Sequence, residues 1–255
     1  MQWRRRFVLL CLVWAASTSA ASARAEEQWK WPEKGKNLQV LPKDFPAEKL
    51  SAVMRGFSRT LGVRCTYCHV GAEDKPLASY DFVSDKNPNK QRAREMYRML
   101  GSIGDQLAKI TPSGDRPVNM WCGTCHQGKP RPLTLEEDLG ETYRKSGVAA
   151  AVARYGELRE RYYGRSAYDF GEGSLNRFAH ELLEQGDHAG AIAVFRLNAA
   201  QFPQSGDAWG NLAGGYLAAG KRLLAEICYR KALEVAPDNA NALTKLHELA
   251  TRPPD

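Results

Sequence analysis

Apolar residues in this chain recur every three or four positions, the period of a helix. Leu50, Val53, Met54, Phe57 and Leu61 form one such stripe, with Pro46 placed to open the helix and Gly62 to stop it. Ala93, Met96, Leu100, Ile103, Leu107 and Ile110 form a second, opened by the cap-and-proline pair Asn87-Pro88 and ended by Pro112 and Gly114. The short apolar run Leu38 to Leu41 ends at Pro42.

From 172 to 239 the helical pattern acquires a longer period of 34 residues. Phe178 pairs with Leu212, Ala179 with Ala213, Gly186 with Gly220, Ala191 with Ala225, Phe195 with Tyr229 and Pro203 with Pro237. Trp209, Leu212, Tyr216, Ala225, Tyr229, Ala232 and Pro237 stand where tetratricopeptide repeats (TPR) place them. Small residues let paired helices approach, and aromatics fill the gap between successive pairs. Residues 240–250 read as a capping helix. Within 149–163, Ala151, Val152 and Tyr155 echo Ala191, Ile192 and Phe195, the second helix of a degenerate earlier repeat. Such stacks bind proteins or peptides along a concave face, here with Asn176, His180 and Asn211; the alternative is a stack that only packs on the N-terminal half. His188 and His247 read as surface residues and Cys228 as a small buried apolar one. The expected fold class is all-α.

Composition divides the chain. Residues 1–25 carry Arg4, Arg5 and Arg6, an apolar run from Phe7 to Ala16 too short to span a bilayer, and Ala23-Arg24-Ala25, the marks of a cleaved export signal. Retention as an anchor is the alternative, and Leu10 before Cys11 argues against lipidation. Losing four Arg and no acid lowers the formal charge from +7 to +3, so the basic balance implies no nucleic-acid partner. Residues 26–133 hold many Pro and four of the five Met; 134–171 read as a helical linker or degenerate repeat, and 172–255 as repeats with their cap.

The chemistry lies in 26–133. Cys65-Thr66-Tyr67-Cys68-His69 and Cys122-Gly123-Thr124-Cys125-His126 are both CxxCH, the pattern that attaches a c-type haem. Cys65, Cys68, Cys122 and Cys125 would form thioethers to the porphyrin vinyl groups, and His69 and His126 would bind the two irons from the proximal side. A shared zinc ion or a pair of disulfides would use the four Cys but leave the two His unexplained. The reading is two covalently bound haem c groups, which fits export to the periplasm.

The other three His all lie beyond residue 171, so a distal histidine would have to come from the C-terminal region. Thioether sulfur is the remaining common ligand, the alternative for a Met on a helical stripe being core packing. Met54 lies on the stripe just before the first CxxCH. Met96 holds the matching place before the second, with Met99 one turn along as its alternative. Helix, turn and CxxCH thus occur twice.

The runs Leu41 to Asp44, Met54 to Phe57, Gly62 to Gly71, Ala93 to Met99 and Cys122 to Pro132 resemble the cytochrome c subunit of photosynthetic reaction centres. The resemblance covers about 95 residues. It implies that the Met on the helix before each haem is the sixth ligand, which supports Met54 and favours Met96 over Met99. Well-known members carry four haems on a lipid-anchored chain, with one distal His; this sequence has two sites and no such His. Gln127 stands where an Arg is often found.

The functional expectation is an exported dihaem cytochrome that passes single electrons between redox proteins, other cytochromes or a membrane electron-transfer complex. The TPR face would dock a protein or peptide. A carrier needs no substrate turnover site. A dihaem peroxidase or other oxidoreductase, which needs an open distal position, and a haem-bearing assembly scaffold are the alternatives.

Overall fold

The computed structural model describes residues 29–251 apart from Pro117; the expected export signal lies outside these. All regular structure among the described residues is helical, with two isolated β-bridges. The order is α1 (Ala47–Leu61), α2 (Pro88–Ile110), α3 (Cys122–His126), α4 (Leu135–Tyr162), α5 (Glu172–Glu184), α6 (His188–Gln201), α7 (Gly206–Ala218), α8 (Arg222–Val235) and α9 (Ala240–Thr251).

Local chemistry sets the boundaries. Pro46 sits at the cap of α1 and Gly62 closes it with φ +63°. Asn87 caps α2, its side chain accepting from the Asn89 N–H at 3.0 Å, with Pro88 in the first turn. Thr134 and Glu137 close a reciprocal capping box on α4.

From α5 onward the helices pack as successive antiparallel pairs, α5 on α6, α7 on α8, with α9 covering the end. Phe178 and Phe195 are fully buried at equivalent places in the first pair, Leu212 and Tyr229 in the second. Each such side chain contributes about 1.5–3 kcal/mol by leaving water. Gly206 and Gly215 allow close approach, since a Cβ there would meet Ala236 or Phe195 within 3 Å. Cys228 is buried as expected.

The stack begins earlier than the period shows. Helix α4 is broken at Gly147 (φ 79°, ψ 177°) into limbs 135–146 and 148–162, a complete helix pair rather than one surviving helix. Leu135, Leu139, Tyr155 and Leu158 join the same apolar core as Leu175, Phe178 and Leu182. Tyr143 on the first limb meets the Phe178 ring edge-on and donates to Asp187 at 2.8 Å.

The N-terminal region is built differently. Among its described residues only Leu41 and Leu50 are buried apolar side chains. Helix α2 packs extensively on no other helix, and Met96, Met99 and Ile110 on it stand 42, 48 and 76 % exposed. No described helix is long and apolar enough to cross a membrane.

Candidate haem-binding site

The first motif opens with a 3-10 turn, Cys65–Tyr67, which brings the His69 N–H onto the Cys65 carbonyl at 2.9 Å. The N-terminus of α2 holds this loop from outside: Asn87 Nδ2 donates to the Thr66 and Tyr67 carbonyls at 3.2 and 3.1 Å, and Asn89 Nδ2 to Tyr67 at 2.9 Å. The His69 ring lies edge-on to Phe82, centroids 5.0 Å apart. Burial, then Lys90, holds the imidazole below its ordinary pKa, with the Phe82 main chain and Asp81 pulling the other way. A neutral ring at pH 7 is the form that donates a lone pair to iron.

The second motif is the short helix α3. It packs on α1: Phe57 stacks on Trp121 at 5.8 Å, Thr60 lies 3.2 Å from where a Gly123 Cβ would stand, and the Gly128 N–H donates to the Thr60 carbonyl at 2.8 Å. The Met54 helix therefore touches the second motif, 60 residues on, as well as leading into the first. Gln127 leaves α3 with φ +48°, an uncommon conformation for a residue with a Cβ.

His126 is buried, and its Nδ1 lies 2.9 Å from the Lys129 carbonyl. A carbonyl only accepts, so Nδ1 carries the proton and Nε2 keeps the lone pair a metal requires. The His69 Nδ1 is buried without a hydrogen-bond partner.

All five described cysteines are free thiols. Burial raises the pKa of Cys68, with Cys65 adding to it, and of Cys122. The described residues form no cluster of His, Cys, Asp and Glu suited to a metal ion, so the four thiols of the two motifs do not converge on one zinc site. Cys125 borders a cleft of about 910 Å³ walled by Lys129, Arg131, Arg144 and Tyr168. Paired thiols, a histidine with a defined tautomer and outward-facing apolar side chains on α2 fit a covalently held porphyrin.

Residues 18–139 match the family model of the photosynthetic reaction centre cytochrome C subunit. The N-terminal region, just under half of the chain, is similar to this family. Curated relatives of this chain include the photosynthetic reaction center cytochrome c subunit of Rubrivivax gelatinosus, 34 % identical over 99 residues, 34 % of this chain and 25 % of the relative. Cytochrome c-554 of Chloroflexus aurantiacus is 30 % identical over 97 residues, 38 % of this chain and 21 % of the relative. The chain thus spans about a quarter of the length of these relatives. Likeness to these cytochromes implies covalently bound haem c.

Solved structures give only a faint likeness to this chain. The first TPR of Spaghetti (RPAP3) bound to an HSP90 peptide aligns at TM-score 0.32 and 18 % identity, covering 46 % of this chain and 87 % of that one. The second TPR domain of human RPAP3 with an HSP70 peptide aligns at 0.33 and 14 %, covering 46 and 93 %. The helix pairs stand on their own packing.

Several residues at the site carry no sequence signal. Asn87 was legible as a cap but not as a clamp on the first motif, Phe82 was not legible at all, and Lys129 is an ordinary lysine before a proline. In the repeats, Asn176 is tied to the fully buried Asn198 at 2.7 Å and to Glu172 at 3.3 Å. His180, His188 and His247 are exposed.

Proposed function

We propose that this chain is an exported, periplasmic dihaem c-type cytochrome that passes single electrons between redox proteins, with the helical repeats as its docking module. The observation that carries the reading is a CxxCH that occurs twice, each time ending on a histidine suited to a metal: His69 held neutral, His126 with Nε2 free. Haem iron, when bound, cycles between ferrous and ferric and so carries one electron. Cys65, Cys68, Cys122 and Cys125 anchor the two groups, and His69 and His126 bind the irons. Met54 and Met96, with Met99 as alternative to Met96, supply the sixth ligands, which raise the potential relative to a second histidine. The apolar stripes of α1 and α2 would supply apolar surface against the porphyrins and help to exclude water. The division is 26–133 for haem, 134–171 as an added helix pair and 172–255 for the repeats.

Met96 and Met99 stand a turn apart on α2 and compete for one place, which favours one second reading, a dihaem oxidoreductase whose distal position at one haem opens to a small molecule. The absorption spectrum of the reduced protein before and after carbon monoxide separates the two. An unchanged spectrum supports the carrier; a shift at one haem supports the oxidoreductase. Iron and haem content of two per chain is expected, and a single haem would sink the dihaem assignment.

A further inference from the structure

Lys129 is the residue that this reading leaves without a task. It is only 5 % exposed and has no carboxylate in hydrogen-bond contact. Its Nζ donates to the Leu133 carbonyl at 2.6 Å and to the Ala167 carbonyl, and lies 3.9 Å from the centroid of the Tyr168 ring. Every group around the nitrogen is an acceptor or a π-face, the surroundings of an ammonium. Tyr168 in turn donates to Asp138 Oδ2 at 2.7 Å, and Arg154 donates to Asp138 Oδ1 at 2.8 Å. Ala167 and Tyr168 lie in the loop that leads from α4 into the repeats. The main chain of the same lysine accepts from His126 Nδ1.

Keeping a buried cation costs desolvation that surface lysines avoid. Here it joins the turn after the second CxxCH to the entrance of the repeat stack. Resting on the haem reading above, we propose that Lys129 is a positioning residue for His126, and the joint through which the seating of the repeat region sets the second proximal ligand. His69, whose Nδ1 has no such bond, is the internal control.

The test uses the full chain matured with haem. Intact mass first counts the haems; a wild-type chain without haem at Cys122 and Cys125 refutes the haem reading itself, before any variant is compared. Solvent exchange of the two histidine Nδ1 protons is then followed by NMR in the reduced protein. Lys129→Met should accelerate exchange at His126 about tenfold or more and leave His69 as it was, with the second haem's midpoint potential moving and the first unmoved. Tyr168→Leu removes the ring beneath the ammonium together with the hydroxyl bound to Asp138 and should accelerate His126 exchange several-fold, whereas Tyr168→Phe, which keeps the ring and loses only that hydroxyl, should not. Unchanged exchange at His126 in Lys129→Met, or equal acceleration at both histidines, overturns the proposal. If Lys129→Met fails to mature, Tyr168→Leu decides alone: a His126 that does not respond to it leaves no joint.

Discussion

Gly62 is held by two constraints at once. Its φ of +63° lies in the left-handed region, and a Cβ would stand 2.1 Å from the Gly128 carbonyl oxygen, a main-chain atom with little freedom to move. Gly62→Ala should therefore cost about 2–4 kcal/mol, strain and displacement together, read as a fall in the urea midpoint. The first constraint was legible, because a glycine after an apolar stripe reads as a helix stop. The second was not, because a local pattern says nothing about which distant backbone will arrive there. Asp85 shows the same limit. It accepts from Arg94, itself buried, at 3.0 Å, from Lys90 at 3.2 Å and from Asn37 at 2.9 Å. Arg94 first, then Asn37, holds its carboxyl well below the usual carboxylate range. A depressed folded pKa gives stability that is complete above the unfolded value of about 4 and is lost as pH falls through the lower folded value. Asp85→Asn should flatten that acid limb when urea midpoints are compared between about pH 2 and 6, and an unchanged limb would mean other carboxylates carry it.

At the scale of elements, the motif-bearing loops are gripped by helix ends. Asn87 both caps α2 and holds two carbonyls of the first CxxCH. Asn87→Ala should cost about 1–2 kcal/mol and speed amide exchange around Cys68 and His69 more than elsewhere. Asn-Pro before an apolar stripe made the cap readable, and the 21 residues back to Thr66 hid the grip. Helix α4 was half readable for a similar reason. Its second limb carries the small and aromatic spacing of the repeats, while its first limb places Leu135, Leu139 and Tyr143 in a run dense with charge, where the stripe is thin. The break between them depends on Gly147, whose φ and ψ suit glycine alone. Gly147→Ala should destabilise the chain by about 1–3 kcal/mol by thermal melting, although nothing lies within 4 Å of where the added Cβ would stand.

The whole molecule combines two kinds of stability. The core from Leu135 to Leu249 is continuous, whereas the N-terminal region buries little apolar surface of its own. Replacing Cys65, Cys68, Cys122 and Cys125 by Ala should abolish amide-exchange protection over 29–133 and leave 135–251 protected; protection retained in both would show that haem attachment contributes little to folding. The same continuity bears on where the repeats begin. A piece cut at 172 loses Tyr143 from the Phe178 ring and Leu135, Leu139 and Leu158 from the core. Each large apolar side chain uncovered costs about 1.5–3 kcal/mol, and each kcal/mol lowers Tm by about 4–8 °C in a piece of this size. Residues 134–251 alone should melt as one cooperative unit near the temperature of the same region in the full chain, and 172–251 should melt well below it. Equal melting of the two pieces would make 134–171 a linker; the expected gap would make it the first repeat, and would place the joint at Lys129 directly beneath the stack it supports.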